Sequence, residues 1–141
     1  MGNFNVDAAV KRMFSPVKFN IAKFKGSKIP ATGKSVGGCA TAVRIFIEAG
    51  GIDTTGKPVA AKDYVGFLPK KGFICVAALV GLAAQASFKA QKGDIAVMSH
   101  GSYGHICMWS GTQWVSDFPQ TKMWPYSGEG TCKVFRHSSV A

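Results

Sequence analysis

Acidic residues are scarce in this chain. Seven Asp and Glu stand against seventeen Lys and Arg among 141 residues, a formal net charge of +10. That imbalance implies attraction to something polyanionic, whether nucleic acid, a membrane surface or an anionic cell wall, although a merely solvated basic face produces the same count. Long apolar runs are missing as well. The most apolar stretch, Phe73 to Ala86, is too short to cross a bilayer, which excludes a membrane span and leads us to expect a soluble protein. The opening residues MGNFNVDAAVKRMF have no continuous apolar core and no small-residue cleavage site, so no secretory signal is expected. Cysteine is sparse too: Cys39, Cys75, Cys107 and Cys132 form no close CxxC pair, which argues against a zinc site, and they are too scattered to establish a disulfide framework. No internal repeat, low-complexity tract or interdomain linker interrupts the chain, so residues 1–141 are read as a single domain.

What is present is a globular composition, 47% hydrophobic and 17% charged, in segments of distinct period. Residues 4 to 14 suit a short helix with Val6, Ala9, Val10 and Met13 on one side. A basic, irregular segment follows at about 15–34, with alternating Phe and Lys near its middle; it reads as an edge strand or an extended arm. After Cys39, the positions Ala40, Val43, Phe46 and Ile47 recur at helical spacing and Gly50-Gly51 stops the helix. Ala60 to Leu68 suits a second short helix and Phe73 to Val76 a strand, while Ala77 to Ala90 is ambiguous between helix and loop. From Lys92 the runs KGDIAVMS, GHICMWS and QWVSDF, separated by turn residues, read as an antiparallel meander, and Cys132 to His137 as a last strand. The fold class expected is α+β, a helix led by cysteine packed on a small antiparallel sheet.

The candidate chemistry begins at Cys39. The glycine-rich SVGGC turn running into a helix places a thiol beside unpaired N–H groups and the positive end of the helix dipole, which is expected to lower its pKa. His105 opens a later strand-like run and Asp117 closes the next. Nucleophile, base and orienting acid therefore occur in the order Cys39, His105, Asp117, and neighbouring strands allow a His–Asp contact. Gly37 and Gly38 permit close approach of backbone to substrate, and the Cys39 N–H could join an oxyanion hole. Tyr103 and Ser102 are open candidates for further donors. His100 and His137 compete with His105, the first from a turn and the second from near the end of the chain. Cys107 shares a strand face with His105, but no second ligand pair has metal-site spacing, and no cofactor is expected.

The pieces SVGGCATAVRIFIEAGG, KGDIAVM, GHICMW and WVSDFPQ together resemble the papain-like cell-wall amidases, which include the NlpC-type peptidases and the CHAP domains. Within them the chain looks most like the type VI secretion amidase effectors. The resemblance spans roughly residues 35 to 137; the basic segment 15–34 has no counterpart in it. It implies a papain-like fold with Cys39 as nucleophile, His105 as general base and acid and Asp117 as orienting group. The implied substrate is a peptide stem or cross-link of peptidoglycan. A cognate immunity protein as inhibitor, and action in the periplasm or wall of a target bacterium, are implied with it. Two alternatives stand beside this reading: a phage-type or housekeeping wall hydrolase, and a non-catalytic basic module that binds cell wall or nucleic acid. The aromatic and basic residues Phe19, Phe24 and Lys25 would serve the latter, yet no nucleic-acid recognition motif accompanies them.

Overall fold

The structure is a computed structural model that describes residues 2–14, 38–117, 119–120, 122–124 and 130–140. The basic segment 15–34, Gly37 and most of the turn-rich stretch before Thr131 lie outside the described residues. Helix α1 (Val6–Met13) starts at Asn5, whose side chain accepts the Ala8 N–H at 3.0 Å, and it buries Ala9, Val10 and Met13. Helix α2 (Cys39–Ala49) buries Val43, Phe46 and Ile47 as helical spacing predicts, with Ala42 fully buried in place of the expected Ala40, which is only partly buried, and it ends at Gly50. Gly51 follows in the left-handed region at φ 93°. The Asn5 N–H donates to the Gly50 carbonyl at 2.9 Å, fastening the start of α1 to the end of α2.

The expected second helix is a succession of single turns. A 3₁₀ turn (Ala61–Asp63), α3 (Tyr64–Phe67) and another 3₁₀ turn (Leu68–Lys71) lead into β1 (Phe73–Val80). The segment whose period was ambiguous divides at Gly81: β1 extends to Val80, α4 (Leu82–Ser87) follows, and the rest is irregular. Its strand part shows no clean alternation because β1 is an edge strand whose outward positions Ile74, Val76 and Val80 are themselves apolar and exposed.

Strands β2 (Ile95–Ser99), β3 (His105–Trp109) and β4 (Trp114–Val115) form the expected meander, and β5 (Pro119–Gln120) adds two residues at the edge. Strand β6 (Thr131–His137) does not extend the meander. It inserts between β1 and β2, giving the order β1-β6-β2-β3-β4-β5 with every pair antiparallel. One face of the sheet, with Val97, Ile106 and Phe135, packs under α1, α2 and α3; the other carries Met98, Cys107, Trp114 and Cys132 beneath Met123 and Trp124. The α+β class and the papain-like arrangement of a cysteine-led helix on an antiparallel sheet are as expected. A fully buried carboxylate, Asp94, joins β2 to β6: Arg136 donates to it through Nε and an Nη at 2.8 Å each, and the Gln91 N–H adds a third bond at 2.8 Å. All four cysteines are free thiols, and no helix among the described residues is long and apolar enough to cross a membrane.

Candidate active site

Helix α2 begins at Cys39 itself. Its N-cap, Gly38, has no side chain to satisfy the first turn, so the N–H groups of Cys39, Ala40 and Thr41 receive no side-chain cap from it. The Gly38 N–H instead donates across the molecule to Asp117 Oδ2 at 3.0 Å. Asp117 is completely buried just beyond β4, and its other oxygen accepts the Ser116 hydroxyl at 3.2 Å. A carboxylate at a helix N-terminus is favourable to the dipole, and this one pins the start of α2 to the sheet.

Cys39 is half-buried, and the Ile106 amide, which follows His105 in β3, is among the groups that favour its thiolate. The thiol pKa, however, is raised and not lowered as the dipole argument expects. Burial is the main cause, the Asp117 charge adds to it, and the amides of Ile106, Ala40 and Cys39 offset only part. Withdrawal of water from a thiolate outweighs the helix terminus here.

His105 is 2% exposed, and its Nε2 stands 2.7 Å from Gln120 Oε1. The amide nitrogen of Gln120 donates to the carbonyls of Lys122 and Met123 at 3.1 and 3.2 Å, which fixes Oε1 as the atom facing the ring. An oxygen there can only accept, so the network assigns the proton to Nε2 and makes Nδ1 the acceptor nitrogen of the ring. Burial pushes the His105 pKa down, while Gln120 and Asp117 act upward and His100 downward. With the thiol pushed up and the imidazole pushed down, each side chain favours its neutral form, the SH and the unprotonated imidazole.

Of the three residues expected from sequence, Asp117 is the one whose charge reaches both of the others, and it bonds the Gly38 amide. The carboxamide on the His105 ring belongs to Gln120, which sequence reasoning missed. A two-residue strand has no period to detect; the one signal was a polar side chain three positions beyond Asp117.

A cavity of about 360 Å³ opens at the thiol, with Cys39, Ala40 and Thr41 on one side and Val59, Ala61 and Tyr103 on the other. Gly104, immediately before His105, has φ 73°, and a Cβ there would stand 2.5 Å from the Met98 carbonyl oxygen and 2.8 Å from Lys62 Cβ. Only glycine fits that approach. Of the competing histidines, His100 is exposed in the β2–β3 connection, edge-on to Trp124 at 5.6 Å. His137 is buried at the end of β6, with Nδ1 at 2.8 Å from Ser139 Oγ and Nε2 at 3.1 Å from the Lys71 carbonyl. Tyr103 rims the cavity, and Ser102 is exposed outside its lining. Cys107 shares the strand face of His105, but burial holds its thiol pKa well up, which disfavours the thiolate a metal would need.

No protein-family model and no curated protein matches the chain. Solved structures do. A chain of the type VI native effector–immunity complex Tae3–Tai3 from Ralstonia pickettii superposes with a TM-score of 0.70 at 25% identity, covering 95% of this chain and 99% of that one. The selenomethionine form of the same complex gives 0.63 at 26% identity, over 89% and 98%.

Proposed function

We propose that this protein is a cysteine amidase of bacterial peptidoglycan, an antibacterial effector of the kind delivered by type VI secretion. The observation that supports the reading is a cavity lined by Cys39 at the start of α2 and by Gly104, the residue before His105, in a chain similar along nearly its whole length to a chain of an effector–immunity complex of known structure. In the reaction, His105 Nδ1 takes the thiol proton as Cys39 Sγ attacks an amide carbonyl of the stem or cross-link peptide. First-turn amides of α2 receive the oxyanion, a donor of this kind contributing about 3 kcal/mol to transition-state stabilisation. The imidazolium returns its proton to the leaving amine, and water then hydrolyses the thioester. Starting from a neutral pair, proton transfer accompanies attack and does not precede it. Asp117 stabilises the imidazolium through space and sets the α2 terminus, while Gln120 holds the ring.

Residues 1–141 act in this reading as one catalytic domain in the periplasm or wall of a target bacterium, where the +10 charge favours adsorption to the anionic wall. Because Tae3 was crystallised with Tai3, we extend to this chain a cognate immunity protein that inhibits it. The test is digestion of purified peptidoglycan by wild type and Cys39→Ala, with fragments identified by mass spectrometry. Thiol-dependent fragments support the amidase and name the bond; intact wall with both proteins leaves a binding role.

A further inference from the structure

A second groove, about 220 Å³ in volume, lies beside the thiol cavity on the helix-covered face of the sheet. Its floor is two cross-strand pairs on one face: Val97 of β2 opposite Lys133 of β6, and Ser99 opposite Thr131. The Ser99 and Thr131 hydroxyls stand 2.6 Å apart and either can donate. Lys62 and Val65 form the far wall. Consecutive residues separate the two spaces, Ala61 facing the thiol and Lys62 the groove, and the Lys62 N–H donates to the Tyr103 carbonyl at 2.9 Å, holding this ridge against the loop before His105.

The charge of this groove has one sign. Arg44, Lys92 and Arg136 are each paired with a carboxylate, to Glu48, Asp7 and Asp94. Among the described residues Lys62 and Lys133 form no ion pair, and no Asp or Glu lines the groove. Two ammonium groups and two hydroxyls beside the apolar side chains of Val65 and Val97 suit a carboxylate carried on a short aliphatic stem. Strand β6 is two strand spacings from β3, about 10 Å, which extended peptide covers in about three residues at its usual rise.

Resting on the amidase reading, we propose that this groove is a specificity subsite in which Lys62 and Lys133 hold a free carboxylate of the acidic stem peptide, two or three residues from the bond cut at Cys39. The experiment compares wild type, Lys62→Gln, Lys133→Gln and the double variant on purified muropeptides with free or amidated side carboxyls. Both lysines are exposed, so the variants retain the fold. The double variant is expected to raise KM about tenfold on the free acid with kcat within about twofold, and to match wild type on the amidated substrate. An unchanged KM, or equal loss on both substrates, overturns the subsite. Should wild type cleave neither muropeptide, the amidase reading fails by itself. Titration of Cys39→Ala protein, with and without the lysine changes, by the free-acid peptide then decides the groove: binding that weakens about tenfold without the lysines sustains it, and lysine-independent or absent binding overturns it.

Discussion

Two buried histidines stand at opposite ends of two strands and meet opposite fates. His105, at the start of β3, and His137, at the end of β6, are both inaccessible, and burial lowers the pKa of both. Around His137 both ring nitrogens are engaged by Ser139 and the Lys71 carbonyl, and the ring packs edge-on to Phe73 at 4.9 Å and tilted to Phe4 at 5.7 Å. Its neighbours are structural groups that gain nothing from a moving proton. Around His105, one nitrogen is fixed by a carboxamide, a thiol stands near the following amide, and a buried carboxylate lies in charge range. Burial makes a histidine neutral; only the second set of neighbours gives the lone pair something to do.

The sharpest way to break this comparison is to remove each ring. His105→Ala is expected to cut peptidoglycan hydrolysis by about 10³-fold, with a small change in melting temperature, because in the proposed mechanism it removes the general base. His137→Ala is expected to retain activity per folded molecule while losing about 2–3 kcal/mol of stability, from an apolar cavity and the unpaired Lys71 carbonyl. Chemical denaturation alongside a fragment-release assay separates the two. If His137→Ala loses activity before it loses stability, the assignment of roles is wrong.

A smaller effect sharpens the contrast inside the site. Gln120→Leu should lower kcat by about 10- to 100-fold and move the acid limb of the pH–rate profile to still lower pH, since Gln120 is an upward influence on the His105 pKa. Asp117→Asn removes another upward influence on His105 and one on Cys39. Its acid limb should move the same way, and its thiol should react faster with iodoacetamide near neutral pH. An unmoved limb and an unmoved alkylation rate would show that neither group senses the pair.

The smallest effect is on stability against pH. Both histidines have folded pKa values below the ordinary 6.5, so between those values and 6.5 the unfolded chain binds more protons than the folded one. Stability therefore rises with pH through that window and declines as pH falls below 6.5. His137→Ala should flatten the slope, read as denaturation midpoints from about pH 5 to 7.5.

Much of this was legible in the chain, and the exceptions have physical reasons. The stripe behind Cys39 and the three runs after Lys92 carry strong periods because each buries one face, and they delivered α2 and β2–β4 where expected. The place of β6 was not legible, since pairing partners are chosen by the whole sheet and not by local pattern. The direction of the Cys39 pKa was misread because helix position is visible in sequence and desolvation is not. Gln120 acts through a tautomer, which depends on two carbonyls that only the folded loop brings to its amide.

The insertion of β6 between β1 and β2 also governs the order in which the molecule comes into being. Among the described residues, strand β1 and the block β2–β5 have no strand pairing with one another except through β6, which follows all of them in the chain. Until it arrives, Arg136 is absent and Asp94 has no cation, so the centre of the sheet carries both open edges and an uncompensated charge. Cys39 and His105 both precede β6 in the chain, so they are synthesised before the strand that closes the frame around them. A nascent or truncated chain that stops short of β6 carries both side chains without the sheet that holds them in register.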